Sequence, residues 1–242
     1  PRVSLAVLEN MLAPYQSGGA LTILLEHTPE SATTAGDRVT RVTLRDLRQT
    51  RMRTITAKYF LDATELGDLL PLTKTEFVTG AESRAQTGEL HAAETAQPAN
   101  NQSFTFCIAM DHLAGEDHTI EKPHDYAKWR SYIPALTPPW TGPLLSWVAS
   151  EPKTLKRREA YFEPNPGDST RKGLNYWIYR RIVDRANFTP GSYASDISLV
   201  NWPQNDFWLG DLLTATHEQQ TEYLQQAKQL SLSLFYWMQT EA

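Results

Sequence analysis

The sequence predicts a protein of the α/β or α+β class, and three features support this expectation. Residues 59–61 form a short apolar run that passes at once into Asp-Ala-Thr and then Gly67-Asp68. That order is typical of a buried strand, a tight turn and a new helix. Residues 39–44 alternate between apolar and polar side chains, as in a half-buried strand. Thr216 and Gln219 form a capping box ahead of a long amphipathic segment.

The first elements are predicted to be a helix and two kinds of strand. Residues 3–12 predict a helix that Pro14 ends. Its apolar face consists of Leu5, Leu8, Met11 and Leu12. The apolar run 21–25 and the segment 59–63, which begins with the apolar residues 59–61, predict strands that are buried on both faces, as in a parallel sheet. Between them, the alternating segments 39–44 and 54–57 predict a polar antiparallel hairpin.

The rest of the chain is predicted to be loop-rich and to end in a long helix. Residues 73–102 are polar and show no clear period. The remaining patterns predict strands at 103–110, 175–183 and 197–200, and a short helix at 125–132. The final helix is expected to bury one stripe of side chains: Leu224, Ala227, Leu230, Leu234, Trp237 and Met238.

Composition excludes several functions. The net charge is −5 and the basic residues are dispersed, so a nucleic-acid partner is not expected. The chain has no apolar run of about 20 residues and no signal peptide, so we expect no membrane span and a cytoplasmic protein. The histidines lack metal-ligand spacing, so no metal site is expected. Cys107 lies in an apolar run and is expected to be buried.

The aromatic and acidic residues leave two alternatives open. Seven tryptophans favour a non-catalytic carbohydrate-binding or interaction module. Of these, Trp202 and Trp208 flank a polar turn and are candidates for a ligand-contacting wall. The others considered lie on apolar faces and are expected in the core: Trp129, Trp147, Trp177 and Trp237. The second alternative is a glycoside hydrolase that uses Asp206 and Asp211 as its carboxylates.

Four segments together carry a family resemblance. The stretch 59–71, with its Asp-Ala-Thr-X-X-Gly-Asp order, resembles the second nucleotide-contacting motif of glutathione-reductase-like FAD-dependent oxidoreductases, in one large branch of these flavoproteins. Residues 79–89 are similar to the Gly-X-Glu-X-Arg…Gly-Glu stretch that follows it there. Residues 102–106 and 201–206 are similar to segments of the substrate domain in that branch.

The resemblance implies an enzyme with FAD as its cofactor, which passes a hydride between a small-molecule substrate and the flavin. It assigns the cofactor contacts to the strand-to-helix turn, namely Asp62, Ala63, Thr64, Glu65, Gly67 and Asp68. Glu65 stands where the commoner motif has glycine. The catalytic residue is not fixed, and the candidates are Arg84, His91, Asn201 and Asn205, with Arg84 favoured.

The resemblance also implies a domain plan. Residues 1–72 would be part of a three-layer FAD-binding domain with a helix, a parallel strand, a β-meander and the Asp-Ala-Thr strand. Residues 73–215 would be a mixed-sheet substrate domain, and 216–242 a helix returning to the first domain. These residues contain no Gly-X-Gly-X-X-Gly loop. We therefore expect a fragment that is partnered by N- and C-terminal parts of the same polypeptide, is inactive alone and carries little FAD.

Overall fold

Helices and several small sheets alternate along the chain in the computed structural model, which confirms the α+β class. The structure describes residues 2–136, 140, 142–154, 156–164, 167 and 170–242. The chain divides into two compact units, Pro1–Pro98 and Ala99–Ala242.

The first unit contains a helix and a three-stranded meander. Helix α1 (Arg2–Ser17) precedes strands β1 (His27–Ala35), β2 (Arg38–Asp46) and β3 (Met52–Thr56), which pair antiparallel in the order β1-β2-β3. Two short helices follow, α2 (Leu69–Thr73) and α3 (Arg84–Thr87). The predicted hairpin is therefore confirmed as β2 and β3. Strand β1 was not predicted, because its sequence is mostly polar and lacks large apolar residues. Its pairing with β2 defines it as a strand.

Helix α1 continues past the residue that was expected to end it. Pro14 lies inside the helix, about one turn from its end at Ser17. Proline removes only one hydrogen bond from a helix, and the last turn still closes because the Gly18 N–H donates to the Pro14 carbonyl at 3.0 Å. None of the residues of α1 is buried, so its apolar face has no partner in the described part of the chain.

The two predicted parallel strands, 21–25 and 59–63, are wrong. Neither segment is a strand in the structure, and Leu25 and Leu61 are 75% and 87% exposed. A strand needs a neighbouring chain to satisfy its backbone groups, and the described residues supply none here. An apolar run indicates a preference for burial, but it does not provide that neighbour.

The second unit is built from short strands, two short helices and one long helix. Its strands are β4 (Phe104–Thr105), β5 (Ile108–Met110), β6 (Val148–Ser150), β7 (Arg157–Tyr161), β8 (Leu174–Asn175), β9 (Arg181–Val183), β10 (Ile197–Val200) and β11 (Asp206–Phe207). Its helices are α4 (Tyr126–Ser131), α5 (Tyr176–Tyr179) and α6 (His217–Thr240), and a 3₁₀ turn lies at Arg185–Asn187. Strand β10 pairs with β5 and β9, and β11 with β4. Strand β7 pairs antiparallel with β6 and parallel with β8, so this sheet is mixed.

Two predicted strands of the second unit are broken in the structure. Residues 103–110 form β4 and β5, which belong to different sheets. Residues 175–183 contain the helix α5, because the Asn175 side chain accepts a hydrogen bond from the Trp177 N–H and caps a helical turn there. The helices at α4 and α6 and the strand β10 lie where they were predicted, and the capping box of Thr216 and Gln219 is present.

The core of the second unit is aromatic and lies against α6. Four of the six predicted stripe residues are buried: Ala227, Leu230, Leu234 and Trp237. Met238 packs against the core, whereas Leu224 is 48% exposed because it faces away from it. Trp129 and Trp177 are fully buried, as predicted, and Trp147 is partly buried and packs against the same core.

Two residues lie in surroundings opposite to those predicted. Trp202 is fully buried and stacks on Tyr176 with ring centroids 4.6 Å apart, so it is a core residue and not a ligand-contacting wall. Cys107 is exposed, because it lies between β4 and β5 rather than within one buried strand. None of the helices among the described residues is long and apolar enough to cross a membrane.

Candidate functional site

The turn from Asp62 to Asp68 is organised by one carboxylate. Asp62 Oδ1 accepts hydrogen bonds from the Thr64 N–H at 2.9 Å and the Thr64 hydroxyl at 2.7 Å. Its Oδ2 accepts from the Leu69 N–H at 2.9 Å, which is the first residue of α2. Asp62 thus spans the turn and caps the helix that follows it. The sequence predicted such a turn. The capping hydrogen bond to the start of α2 comes from Asp62, seven residues before Leu69, and the Asp68 side chain makes none.

Thr64 and Gly67 complete the turn. The Thr64 hydroxyl accepts a hydrogen bond from the Asp68 N–H at 2.7 Å. Gly67 has a φ of 69°, and a Cβ there would lie 2.9 Å from Leu70 Cδ1. A β-branched residue at this position would be strained in the backbone and crowded by Leu70. Sequence order alone therefore located the residue that this turn requires to be glycine.

The charge of the Asp62 carboxylate and its unused hydrogen-bond acceptor site define what the turn can bind. Hydrogen bonds from the Thr64 N–H and hydroxyl, and from the Leu69 N–H, hold the pKa of Asp62 below its usual range. An ionised carboxylate has about four acceptor sites, and three are used here. The remaining site suits a hydroxyl donor, such as a ribose, and repels a phosphate. The Asp62 carboxylate, as a hydrogen-bond acceptor, therefore fits a sugar hydroxyl of FAD and not its pyrophosphate.

Ala63 and Glu65 are the other predicted cofactor contacts in the turn. Both side chains are exposed. No described residue forms a hydrogen bond or ion pair with the Glu65 carboxylate. Both positions are thus open to a bound molecule, but neither is held in a fixed geometry.

Arg84 and His91 lie on a closed loop of the same unit. A capping box of Ser83 and Gln86 starts α3, and the Arg84 N–H donates to the Ala93 carbonyl at 2.7 Å. The guanidinium of Arg84 pairs with Glu94 at 2.9 Å, with both side chains largely in solvent. His91 is exposed. Arg84 therefore has a carboxylate partner that sequence spacing did not identify, ten residues further along the chain.

Asn201 and Asn205 lie in the second unit, where they join separate segments. Asn205 is fully buried, and its Nδ2 donates to the Val200 carbonyl at 3.3 Å and to Ser231 Oγ at 3.1 Å. Its Oδ1 accepts from the Trp202 N–H at 2.9 Å. Asn201 Nδ2 donates to Cys107 Sγ at 3.4 Å. The Asn205 amide therefore connects the segment after β10 to helix α6.

Asp206 is a carboxyl group in an environment that changes its acidity. Thr105 and Asp206 are opposite each other in the β4–β11 pair, and the Thr105 hydroxyl donates to Asp206 Oδ1 at 2.5 Å. Burial raises the pKa of Asp206, and the hydrogen bond from Thr105 and the charge of Arg180 only partly offset it. Sequence reasoning named Asp206 only as half of a hydrolase pair. No local signal in the sequence indicated its burial, since the residues just before it, Gln204 and Asn205, are polar too.

A cleft of about 770 Å³ lies beside β5 in the second unit. Its floor includes Met110, Phe162 and Phe235, and its rim is the loop 111–119. The rim groups are largely bonded to each other: His118 Nε2 pairs with Glu116 at 2.7 Å. Within the described parts of the chain, no three His, Cys, Asp or Glu side chains are grouped to hold a metal ion.

The chain matches the family model described as FAD dependent oxidoreductase over residues 1–241. The match covers nearly the whole chain, so the protein belongs to this family. No curated protein and no solved structure matches it. It is therefore an oxidoreductase with FAD as its cofactor, as the sequence resemblance implied, which favours this function over both alternatives. The family match names no branch, so the glutathione-reductase-like branch stays a prediction.

Proposed function

We propose that this FAD-dependent oxidoreductase transfers a hydride between a small-molecule substrate and flavin, and that the turn Asp62–Asp68 contacts the nucleotide. The observation that carries the second part is the hydrogen-bond network of Asp62, which holds an ionised carboxylate in one orientation with one acceptor site left. Such a group receives a hydroxyl donor without reorganising. FAD, when bound, supplies the hydride acceptor.

The chain's own residues would hold and orient the nucleotide at this turn. Asp62 would accept a hydroxyl of the nucleotide, while Thr64 and Gly67 keep the carboxylate and the start of α2 in place. Ala63, Glu65 and Asp68 would line the contact. These residues supply no pyrophosphate site, and the sequence has no Gly-X-Gly-X-X-Gly loop.

The substrate side of the reaction needs a group that takes a proton. We propose Asp206 for this role, because a carboxyl group with a raised pKa is a stronger base than an ordinary carboxylate. Asp206 would accept the O–H or N–H proton that the substrate loses when it is oxidised. Arg84, His91 and Asn201 remain candidates for orienting the substrate, and Asn205 for supporting Asp206 from the core.

Flavin content tests the nucleotide contact. In the extended polypeptide that includes the missing nucleotide-binding part, Gly67→Val and Thr64→Val are expected to lower the bound FAD at least about tenfold, measured by absorbance after incubation with excess FAD and gel filtration. Glu65→Gln is the matched control in the same turn and is expected to keep its flavin. Circular dichroism checks that each variant is folded. Equal flavin in all three variants would remove the turn from the nucleotide site.

A further inference from the structure

A small recess lies at one end of the β4–β11 pair in the second unit. Residues 102 and 103 directly precede β4, and residues 208–211 directly follow β11, so the antiparallel pairing brings the two segments together. They enclose about 220 Å³. At about 30 Å³ per water molecule, this volume corresponds to about seven waters. The recess therefore has room for one small ring.

The lining of the recess is mostly polar, with the Asp211 carboxylate as its charged group and Ala99 and Leu209 as its apolar side chains. It presents the amides of Asn101 and Gln102, the hydroxyl of Ser103, the indole of Trp208 and the carboxylate of Asp211. Among the residues that the structure describes, no lysine or arginine lines it, so an anionic ligand would meet no counter-charge there. Amides and hydroxyls both donate and accept hydrogen bonds, which suits a ligand that does the same.

Asp211 is held in place and kept ionised. Its Oδ2 accepts hydrogen bonds from Asn101 Nδ2 and the Thr214 hydroxyl, both at 2.8 Å, and its Oδ1 accepts from the Leu213 N–H at 2.9 Å. Burial alone would raise the pKa of Asp211, but these hydrogen bonds outweigh it and hold the pKa below its usual range. The Thr214 N–H also bonds to Asp211, so the acceptor sites of this carboxylate are used within the loop and it serves to position Asn101 in the recess.

Gly210 lets the chain bring the indole and the carboxylate to the same recess. A Cβ at Gly210 would lie 2.4 Å from the Tyr223 ring of α6. The backbone between Trp208 and Asp211 therefore packs directly on that ring, as only glycine allows. The recess is thus fixed by contacts to β4, β11 and α6.

We propose that this recess binds a neutral polyhydroxylated ring, a monosaccharide unit or a cyclic polyol. The apolar C–H face of the ring would lie on Trp208, and its hydroxyls would bond to Gln102 and Ser103. This inference goes beyond the proposed function, because neither the turn Asp62–Asp68 nor Asp206 lines the recess. The larger cleft beside β5 suits this ligand less, since its floor is apolar.

Ligand binding to the whole chain tests the proposal. Saturation-transfer NMR would be recorded with methyl β-glucoside, methyl β-galactoside and myo-inositol, and with tetramethylammonium and inorganic phosphate for comparison. We expect saturable binding of at least one polyol, with a Kd of about 1–10 mM. Trp208→Ala and Gln102→Ala are expected to weaken it at least about tenfold and threefold respectively. Trp208→Phe, which keeps an aromatic face, covers the case in which Trp208→Ala unfolds, and is expected to bind within about threefold of wild type.

Tyr193→Ala is the matched control, since it removes an aromatic side chain outside the recess. It is expected to leave polyol binding unchanged. Absence of polyol binding up to about 100 mM would overturn the proposal, as would binding that is indifferent to both recess variants. Tighter binding of tetramethylammonium or phosphate than of any polyol would overturn the assignment of the ligand class. Flavin content in the Gly67 and Thr64 variants is measured separately, so loss of one proposal leaves the other standing.

Discussion

At the scale of single residues, Asp206 differs from the other carboxyl groups with a shifted pKa. In the described residues, the pKa of Asp206 is raised by burial, whereas hydrogen bonds or ion pairs lower the others, such as Asp62 and Asp196. Burial also raises the pKa of the neighbouring Tyr176 hydroxyl, and the charge of Asp206 adds to this effect. A carboxyl group whose pKa is raised by burial is consistent with a group that exchanges protons.

Asp206→Asn is expected to stabilise the protein at neutral pH. A raised pKa in the folded state means that stability is fully present below the unfolded value of 3.8 and is lost as the pH rises through the folded pKa. Asparagine carries no charge and still accepts the Thr105 hydrogen bond. We expect Tm at pH 7 to rise by about 1–3 °C and the difference from wild type to disappear near about pH 3.

Differential scanning calorimetry across pH checks this expectation. Asp37→Asn, in the exposed turn between β1 and β2, serves as the control and should show no such trend. If Asp206→Asn lowers Tm at pH 7, the carboxylate is stabilised by its surroundings and the argument for a base at this position fails. Turnover of the same variant should fall at every pH if the carboxyl takes the substrate proton.

Arg84→Lys separates a substrate contact from a surface ion pair. The pair with Glu94 is exposed on both sides, so either role leaves the free energy of unfolding within about 0.5 kcal/mol of wild type. In the complete enzyme, we expect full flavin content with reduced turnover, because lysine keeps the charge but loses the planar two-pronged geometry. Arg45→Lys, which alters a similarly exposed pair with Glu30, is the control. Unchanged turnover in Arg84→Lys would make the residue structural.

At the scale of elements, helix α6 organises the second unit. Its buried stripe packs on the aromatic core, and Ser231 bonds to the buried Asn205 amide. The helix starts at a reciprocal pair in which Thr216 and Gln219 satisfy each other's backbone N–H groups. This is the one helix whose start and buried side could both be read from the sequence.

Thr216→Ala is expected to lower the free energy of unfolding by about 1 kcal/mol, because it leaves an N–H at the helix start without an acceptor. Urea denaturation followed by tryptophan fluorescence would show a lower midpoint with an unchanged slope. Thr221→Ala, which removes a hydroxyl bonded to the His217 carbonyl inside the same helix, should cost less or nothing. An equal loss in both variants would mean that the cap has no special role.

At the scale of the whole molecule, the two units bury very different amounts of apolar side chain. Among the described residues, Val42 is the buried hydrophobic residue of the first unit, and the rest lie in the second. The second unit also holds every tryptophan of the chain. A meander with one solvated face and an unpartnered helix has little core of its own.

The segment 99–242 alone is therefore expected to unfold cooperatively, and the segment 1–98 alone is not. Heteronuclear NMR of the two segments checks this. We expect well-dispersed amide signals for 99–242 and poorly dispersed amide signals for 1–98. The intact chain is the reference, and the signals of 99–242 should overlay on it. Dispersed signals and a sharp thermal transition in 1–98 would show that the first unit is self-sufficient.

Local patterns determined much of this protein by themselves. The alternation of 39–44, the capping box at Thr216 and the glycine required at position 67 each depend on residues close in sequence, so the sequence predicts them. The family, with its cofactor, also followed from short motifs in order. Local order suffices in these cases because the interactions are made within a few residues.

Only the tertiary structure decided which segments found partners. Residues 21–25 and 59–63 have the composition of buried strands but no neighbouring chain among the described residues. Trp202, Cys107 and Asp206 took their surroundings from segments about 30 to 100 residues away, as the Thr105–Asp206 pair shows. Burial and the pKa values that follow from it depend on such distant contacts, and no local pattern of residues encodes them.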